Sequence, residues 1–138
     1  MTTPEMYQAA DRRLAELLGY DTTGVEWDES PEIGHDSDCS QRLTARWGCW
    51  SGQRKGKKWP YEFCGDEWLP GWCTDSADAV ELMVDHGVKV QATESAAVAH
   101  LRPTDPVLVE RFDHHDGDKR AAARYVSVRA VIKKLEAA

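Results

Sequence analysis

The segment TDSADAVELMVDHGVKVQATE, residues 74–94, decides the type of fold, because a helix signal runs directly into a strand signal. Thr74, Asp75 and Ser76 have side chains that cap helix amides, so the sequence predicts a helix over residues 76–86. Gly87 is placed to end that helix. Residues 88–94 then alternate between apolar and polar side chains, as a strand with one buried face does. The segment therefore indicates an architecture that mixes helices with a sheet.

The predicted helix 76–86 has a broad apolar face. Its members are Ala77, Val80, Leu82, Met83 and Val84. Helices with such a face bury it against a sheet or another helix. We therefore expect this helix to pack onto the core along that face.

Toward the C-terminus, the pattern continues with strands and a closing helix. Strands are predicted over 97–102 and 107–112, the second from the apolar residues Val107, Val109 and Phe112 near period two. Asp116-Gly117 indicates a turn. The last helix is predicted over 121–135, with an apolar stripe formed by Tyr125, Val128, Ile132 and Leu135.

Toward the N-terminus, a helix is predicted over 4–18, with Gly19 in the position of its C-terminal cap. Residues 21–40 are acidic and rich in Asp, Ser and Pro, and we expect a flexible loop. Strands are predicted over 41–50 and 59–64, within or beside a basic, Trp-rich insert at 47–72.

The order of these elements is helix, small sheet, helix, sheet continuation, helix. Such an order predicts an α+β fold in which a small antiparallel or mixed sheet is covered by helices, an αβα-type layered sandwich. With 138 residues, the chain has the length of one domain, and we expect a single domain over 1–138.

Composition places the protein among folded cytoplasmic domains. Hydrophobic residues make up 41% of the chain, and no secretory signal or membrane-spanning run is present. The expected location is the cytoplasm, or the host cell cytoplasm if the protein is phage-encoded. Cys39, Cys49, Cys64 and Cys73 show no C-x-x-C spacing, so we interpret them as free thiols.

Charge is distributed unevenly along the chain, whose formal net charge is −7. Residues 41–60 carry six bases and no acid, and residues 119–138 carry six bases and one acid. The remaining segments are strongly acidic. Repulsion from the acidic body opposes the phosphate contacts that long nucleic acid requires, so binding of a small anion is favoured over binding of long nucleic acid.

Three segments together resemble the phage α-β-α (ABA) sandwich domain family of small phage and prophage proteins. LAELLGY at 14–20 is similar to its first helix, which ends in a glycine and an aromatic residue. CTDSADAVEL at 73–82 is similar to its capped, alanine-rich helix, and VRAVIKKL at 128–135 to its closing helix. The basic, tryptophan-rich insert departs from the family pattern. The resemblance implies the layered fold and a phage origin, without a settled activity.

The insert concentrates aromatic and basic side chains in the composition that a nucleotide site requires. A base stacks on aromatic rings, while its phosphates pair with arginine and lysine. The candidate ligand-binding residues are Trp47, Trp50, Arg54, Lys55, Lys57, Lys58, Trp59, Tyr61, Trp68 and Trp72. The alternative interpretation is that the tryptophans pack over the sheet and the basic run forms a solvated hairpin tip.

Catalytic motifs are absent from the sequence: it has no phosphate-binding P-loop, no G-x-S-x-G, no H-E-x-x-H and no dinucleotide fingerprint. His114 and His115 lie between Asp113 and Asp116, a cluster that could bind a metal or supply a general base. Adjacent residues of a strand point to opposite faces, so the two histidines are not expected to share one ion, and we interpret the cluster as a hairpin turn. His35 near Cys39 lacks any spacing signature. The sequence thus favours binding over catalysis and predicts neither a metal site nor a cofactor.

The leading hypothesis is a non-enzymatic phage-type accessory protein that sequesters a nucleotide-like ligand, such as a host immune signal. A second hypothesis is direct inhibition of a host defence protein through an aromatic or acidic surface. A third is a small nucleotide hydrolase that uses His35, His114 or His115, and a fourth is binding of single-stranded nucleic acid. The C-terminal apolar stripe would suit a homo-oligomer.

Overall fold

Three α-helices and two antiparallel sheets form the part of the chain that the computed structural model describes, namely residues 3–20, 22, 26–28, 49–52, 61–63, 66–68, 70–101 and 107–138. The helices are α1 (Thr3–Leu17), α2 (Ser76–His86) and α3 (Lys119–Glu136), and a 3-10 helix spans Phe112–His115. The strands are β1 (Glu26–Asp28), β2 (Cys49–Gly52), β3 (Tyr61–Phe63), β4 (Asp66–Trp68), β5 (Lys89–Ala92), β6 (Ala96–His100) and β7 (Leu108–Arg111). These elements confirm the predicted α+β class.

The core lies between α3 and the sheet of β5, β6 and β7, which is antiparallel throughout with β6 in the centre. The central strand and the facing helix both contribute small buried side chains, notably Ala97, Ala99, Ala122, Ser127 and Ala130. Helices α1 and α2 pack on α3. Helix α3 therefore touches every other layer of this part of the molecule.

Helix α1 enters the core through Tyr7, Ala10 and Leu14, whose spacing places them on one face of the helix. Leu14 is fully buried. Gly19 adopts a positive φ of 88°, and backbone N–H groups there close the helix onto Ala15 and Glu16 carbonyls. The predicted helix and its glycine stop are confirmed.

Helix α2 begins and ends where the sequence predicts. The Asp75 side chain caps it by accepting from the N–H groups of Ala77 and Asp78, and Gly87 ends it with a φ of 67°. The predicted buried face is wrong in part, because Val80 is 55% exposed and Val84 76% exposed. Asp78 is buried instead, since its carboxylate accepts the Gly71 N–H.

The predicted inward face of β7 is wrong. Val107 and Val109 are about half exposed, whereas Glu110 is buried. In register Glu110 lies opposite Ala97, and Val109 lies opposite the half-buried Val98. Phe112, the third member of the predicted apolar set, is buried, but it belongs to the 3-10 helix, so its burial does not fix the phase of the strand.

The 3-10 helix replaces the hairpin turn predicted at His114 and His115. It connects β7 to α3, and Asp116 and Gly117 after it both adopt positive φ, at 55° and 78°. The turn predicted at Asp116-Gly117 is thereby confirmed, although it joins a strand to a helix. This conformation buries His115 and leaves His114 exposed.

The first four strands form a separate sheet in the order β1-β2-β4-β3. Strand β1 lies inside the segment predicted as an acidic loop, and β4 is a strand that the sequence did not predict. Tyr61 pairs with Trp68 in register, and Trp27 pairs with Trp50. The Trp-rich insert therefore contains a hairpin, with strands β3 and β4 joined by two residues.

Candidate functional site

A chain of polar side chains, buried except for the partly exposed Arg129 at its end, lies beside α3. The Tyr7 hydroxyl lies 2.5 Å from His115 Nδ1, and His115 Nε2 lies 2.9 Å from Glu110 Oε1. Arg129 Nη1 donates to the other oxygen, Glu110 Oε2, at 2.7 Å. We call these four residues the Tyr7–Arg129 relay. It links α1, the 3-10 helix, β7 and α3.

When His115 is neutral, the donor and the acceptor of each hydrogen bond in the relay are defined. The Glu110 carboxylate accepts the hydrogen bond from Arg129, and a carboxylate accepts but does not donate. His115 must then place its proton on Nε2, facing Glu110, and Nδ1 accepts the Tyr7 proton. The arrangement is that of a hydroxyl held by an imidazole that a carboxylate orients.

Burial of His115 and Tyr7 keeps the Tyr7 hydroxyl protonated. The His115 side chain is fully buried, and Tyr7 is 7% exposed. Burial, with a further contribution from Cys73, raises the pKa of the Tyr7 hydroxyl far above its usual range. Tyr7 therefore remains a neutral hydroxyl that can donate one hydrogen bond and accept others.

Tyr125 completes the surroundings of His115. Its ring centroid lies 5.3 Å from that of His115 and 5.6 Å from that of Tyr7, tilted against both. Burial raises the Tyr125 pKa, and the nearby Glu110 carboxylate raises it further. The two tyrosine rings pack against the imidazole, which is shielded from water.

A pocket of about 540 Å³ opens where the relay ends at Tyr7 and His115. Its other polar lining residues are Thr3, Thr74, Asp116, Asp118 and Arg124. We call it the Tyr7 pocket. Its volume falls in the range of small-molecule sites.

The wall at Thr74 is held by side chains from all three helices. Asp11 of α1 accepts the Cys73 N–H at 3.1 Å, and Asp78 of α2 accepts the Gly71 N–H at 2.9 Å. Arg124 of α3 donates from Nε to the Cys73 carbonyl at 2.9 Å. These bonds fix the 71–74 turn, so the pocket is formed before any ligand arrives.

Arg124 is the cation of the Tyr7 pocket. Its Nη1 donates to Ser76 Oγ at 3.0 Å, whereas its Nη2 donates to no acceptor among the residues that the structure describes. Within the same residues, no carboxylate forms an ion pair with it. Two acids line the pocket as well, and Asp118 uses one oxygen to cap α3 at the Ala121 N–H.

Of the ten candidate residues of the insert, four lie within the described residues. Trp50, Tyr61 and Trp68 lie in strands β2, β3 and β4, with Tyr61 opposite Trp68. Trp72 is 5% exposed and packs in the hydrophobic core, as the packing alternative predicts for this residue. Outside the described residues lie Trp47, Arg54, Lys55, Lys57, Lys58 and Trp59.

The histidines fall into two kinds. His114 is exposed beside Asp113, 3.8 Å away, while His115 is buried in the relay. His35 lies outside the described residues. Within the described ranges, no three His, Cys, Asp or Glu side chains are placed to hold a metal ion, and no helix has both the length and the apolar character to cross a bilayer.

Sequence reasoning missed three members of the relay. Tyr7 looks like one more apolar position on α1, and Arg129 like one of several bases on the final helix. Glu110 carried a signal, since an acid between apolar residues of a strand faces either solvent or a buried partner. Which of the two holds depends on which side chains of β7 face the core.

No family model matches the chain, and neither the curated proteins nor the solved structures contain a significant match to it.

Proposed function

We propose that the protein binds and sequesters a small nucleotide-like ligand, and that the Tyr7 pocket is the site. The observation that carries this proposal is Arg124, whose Nη2 faces no protein acceptor within the described residues while the guanidinium lines a preformed pocket. A guanidinium with free donors is a strong partner for a phosphate oxygen. The Thr3 hydroxyl adds a neutral donor that phosphate also accepts, and the Tyr7 hydroxyl belongs to a side chain that lines the same pocket.

The two acids of the pocket narrow the ligand class. Asp116 and Asp118 repel a dianion but accept hydrogen bonds from hydroxyl and amino groups. A ribose phosphodiester carries a single charge and offers such donors, so it meets both requirements. The ligand class that we propose is therefore a nucleotide whose phosphate is esterified twice.

The biological role follows from capture without turnover. The resemblance to small phage proteins supports an accessory role in the infected cell. A phage-type protein that removes a nucleotide signal of host immunity would blunt that response by mass action. The Trp-rich insert, with Tyr61 and Trp68 paired across β3 and β4, is a second platform on which a base could stack.

The test is ligand capture measured by native mass spectrometry and calorimetry with a panel of nucleotides. Arg124→Gln should weaken binding by about tenfold or more, since one charge-assisted hydrogen bond is lost. Arg124→Lys retains the charge, and Arg120→Gln removes an exposed base from the same helix as a matched control. Circular dichroism and thermal melting establish that each variant is folded.

Each result points to one site or mechanism. Equal binding by Arg124→Gln and the wild type, with loss in Trp59→Ala or Lys57→Gln, would move the site to the Trp-rich insert. A bound nucleotide of changed mass would indicate the hydrolase hypothesis instead. No bound mass with any nucleotide would contradict sequestration.

A second candidate function is inhibition of a host protein through α2. Ala77, Val80 and Val84 form an exposed apolar stripe, with the acids Glu81 and Asp85 also exposed on the helix. Apolar residues rimmed by one sign of charge are typical of protein interfaces. Copurification of a host protein that Val84→Lys abolishes, and Glu94→Lys does not, would support this function.

A further inference from the structure

The Tyr7–Arg129 relay has one closed end and one open end. At the closed end, both Glu110 oxygens are occupied, one by Arg129 and the other by His115. At the open end, Tyr7 and His115 line the Tyr7 pocket. A change of protonation at His115 therefore alters the groups that line the pocket as well as the contact with Glu110.

We propose that the Tyr7 hydroxyl contacts the ligand and that protonation of His115 reverses its hydrogen-bonding role, so that the pocket takes up a proton when it binds an anion. This inference rests on the proposed function, because it concerns the same pocket and the same ligand class. It assigns Tyr7 as a ligand-binding residue and His115 as the residue that sets its role.

The reversal follows from counting donors. With neutral His115, the Tyr7 proton is directed at Nδ1, so the phenol oxygen can offer the pocket only its lone pairs. With protonated His115, Nδ1 becomes a donor and the Tyr7 oxygen accepts from it. The phenol proton is then free to point at a phosphate oxygen, and a positive charge lies behind it.

The charges around His115 support this coupling. Glu110 from β7 stabilises the imidazolium directly, and Arg129 from α3 offsets part of that effect. The remaining titratable or charged groups near it are Tyr7 from α1, Tyr125 and Arg124 from α3, and Asp116 and Asp118 from the connecting loop. A bound anion adds a negative charge to this set and so favours the protonated ring.

The consequence for specificity is a preference that changes with pH. With His115 protonated, the pocket favours ligands that present an acceptor at Tyr7. With His115 neutral, the pocket favours ligands that present a donor there. An anionic phosphodiester should therefore bind more tightly in acid, whereas a neutral nucleoside should gain nothing.

The experiment is isothermal titration of the full chain with cyclic AMP, whose phosphodiester keeps one charge across this range, and with adenosine as the neutral probe. Between pH 8 and pH 5.5, cyclic AMP binding to the wild type should tighten about tenfold, the effect of one additional charge-assisted hydrogen bond. Titrations in buffers of different ionisation enthalpy should show proton uptake at intermediate pH.

Variants separate the relay from other titrating groups. Tyr7→Phe and His115→Gln should reduce the pH effect to about twofold or less, because the first lacks the hydroxyl and the second cannot titrate. His114→Gln removes the exposed neighbouring histidine and is the control, which should keep the wild-type pH effect.

The outcomes distinguish this inference from the proposed function. Binding of cyclic AMP that is independent of pH and takes up no proton would overturn the inference and leave the proposed function standing. A pH effect that survives in both Tyr7→Phe and His115→Gln would also overturn it. Absence of cyclic AMP binding at both pH values would overturn the inference, and failure of the whole nucleotide panel would overturn the proposed function as well.

Discussion

Glu110 is the residue on which the buried polar chain depends. A carboxylate on the core face of a strand is unfavourable unless donors surround it. Arg129 and His115 supply one donor to each of its oxygens. The residue therefore joins β7 to α3 and to the 3-10 helix through a single side chain.

Replacing Glu110 with Gln should lower the free energy of unfolding by about 2 kcal/mol, because the amide group presents a donor to a donor and both charge-assisted bonds weaken. The measurement is urea unfolding at neutral pH. Glu94→Gln removes an exposed acid and should change the same free energy by less than about 0.5 kcal/mol. Equal losses in the two variants would contradict the prediction.

Cys73 should be inert in the native protein. It is fully buried, and burial together with the nearby Asp11 carboxylate raises its thiol pKa well above the usual range. Because the thiolate is the reactive form, both effects slow modification. With Cys39, Cys49 and Cys64 replaced by Ser, we expect the remaining thiol to react with an aromatic disulfide reagent at least about 100-fold more slowly than in urea-unfolded protein. Stoichiometric labelling at the unfolded rate in buffer would contradict this.

At the scale of elements, the contact between the end of α2 and α3 should make stability depend on pH. Burial, and then Lys134 of α3, lower the pKa of His86 below its reference value of 6.5. The unfolded chain therefore takes up this proton first as the pH falls. The stabilising contribution is complete above about pH 6.5 and is lost as the pH falls below it.

The urea concentration at the midpoint of unfolding should accordingly decrease as the pH is lowered from 7.5 to 5.5. His86→Gln should make this decrease smaller. His114→Gln, at an exposed position, serves as the matched control and should leave the fall unchanged. Identical pH profiles for the wild type and His86→Gln would show that His86 does not contribute.

The elements also show how far sequence reasoning reached. Helix α2 was predicted to the residue, because Asp75 and Gly87 are local signals that need no partner. The inward face of β7 was not predicted correctly, because pairing with β6 decides which of its alternate side chains face the core. The relay could not be predicted from the sequence, because Tyr7 and His115 are 108 positions apart in the chain.

The insert shows a different limit. The ligand site inferred from its aromatic and basic composition remains a prediction. In the structure, Tyr61 and Trp68 pair in register, and Trp72 packs in the core. Composition indicates which side chains are present. It does not indicate which of them the fold buries, as Trp72 demonstrates.

At the scale of the whole molecule, α3 is the central element of its part of the fold, because α1, α2 and the sheet of β5, β6 and β7 all pack on it. Amides of its central turns, around Val126 and Val131, should therefore exchange with solvent only on global unfolding. Native-state hydrogen exchange measures this directly.

The same experiment tests how α1 is attached. Tyr7→Phe removes the hydrogen bond between α1 and His115 and should lower the protection of α1 amides by about 1 kcal/mol, with little change in α2. The α2 amides are the internal control. An equal loss in both helices would indicate that the variant acts on global stability.

The small buried side chains of α3 and β6 constrain how this sequence can diverge. Positions 97, 99, 122, 127 and 130 hold Ala or Ser and are 2% exposed or less, so a larger side chain at any of them would push apart the elements packed around it. Substitutions at exposed positions meet no such constraint. Distant relatives should therefore retain this pattern of small residues even where no other similarity survives, and the pattern gives a template for finding them.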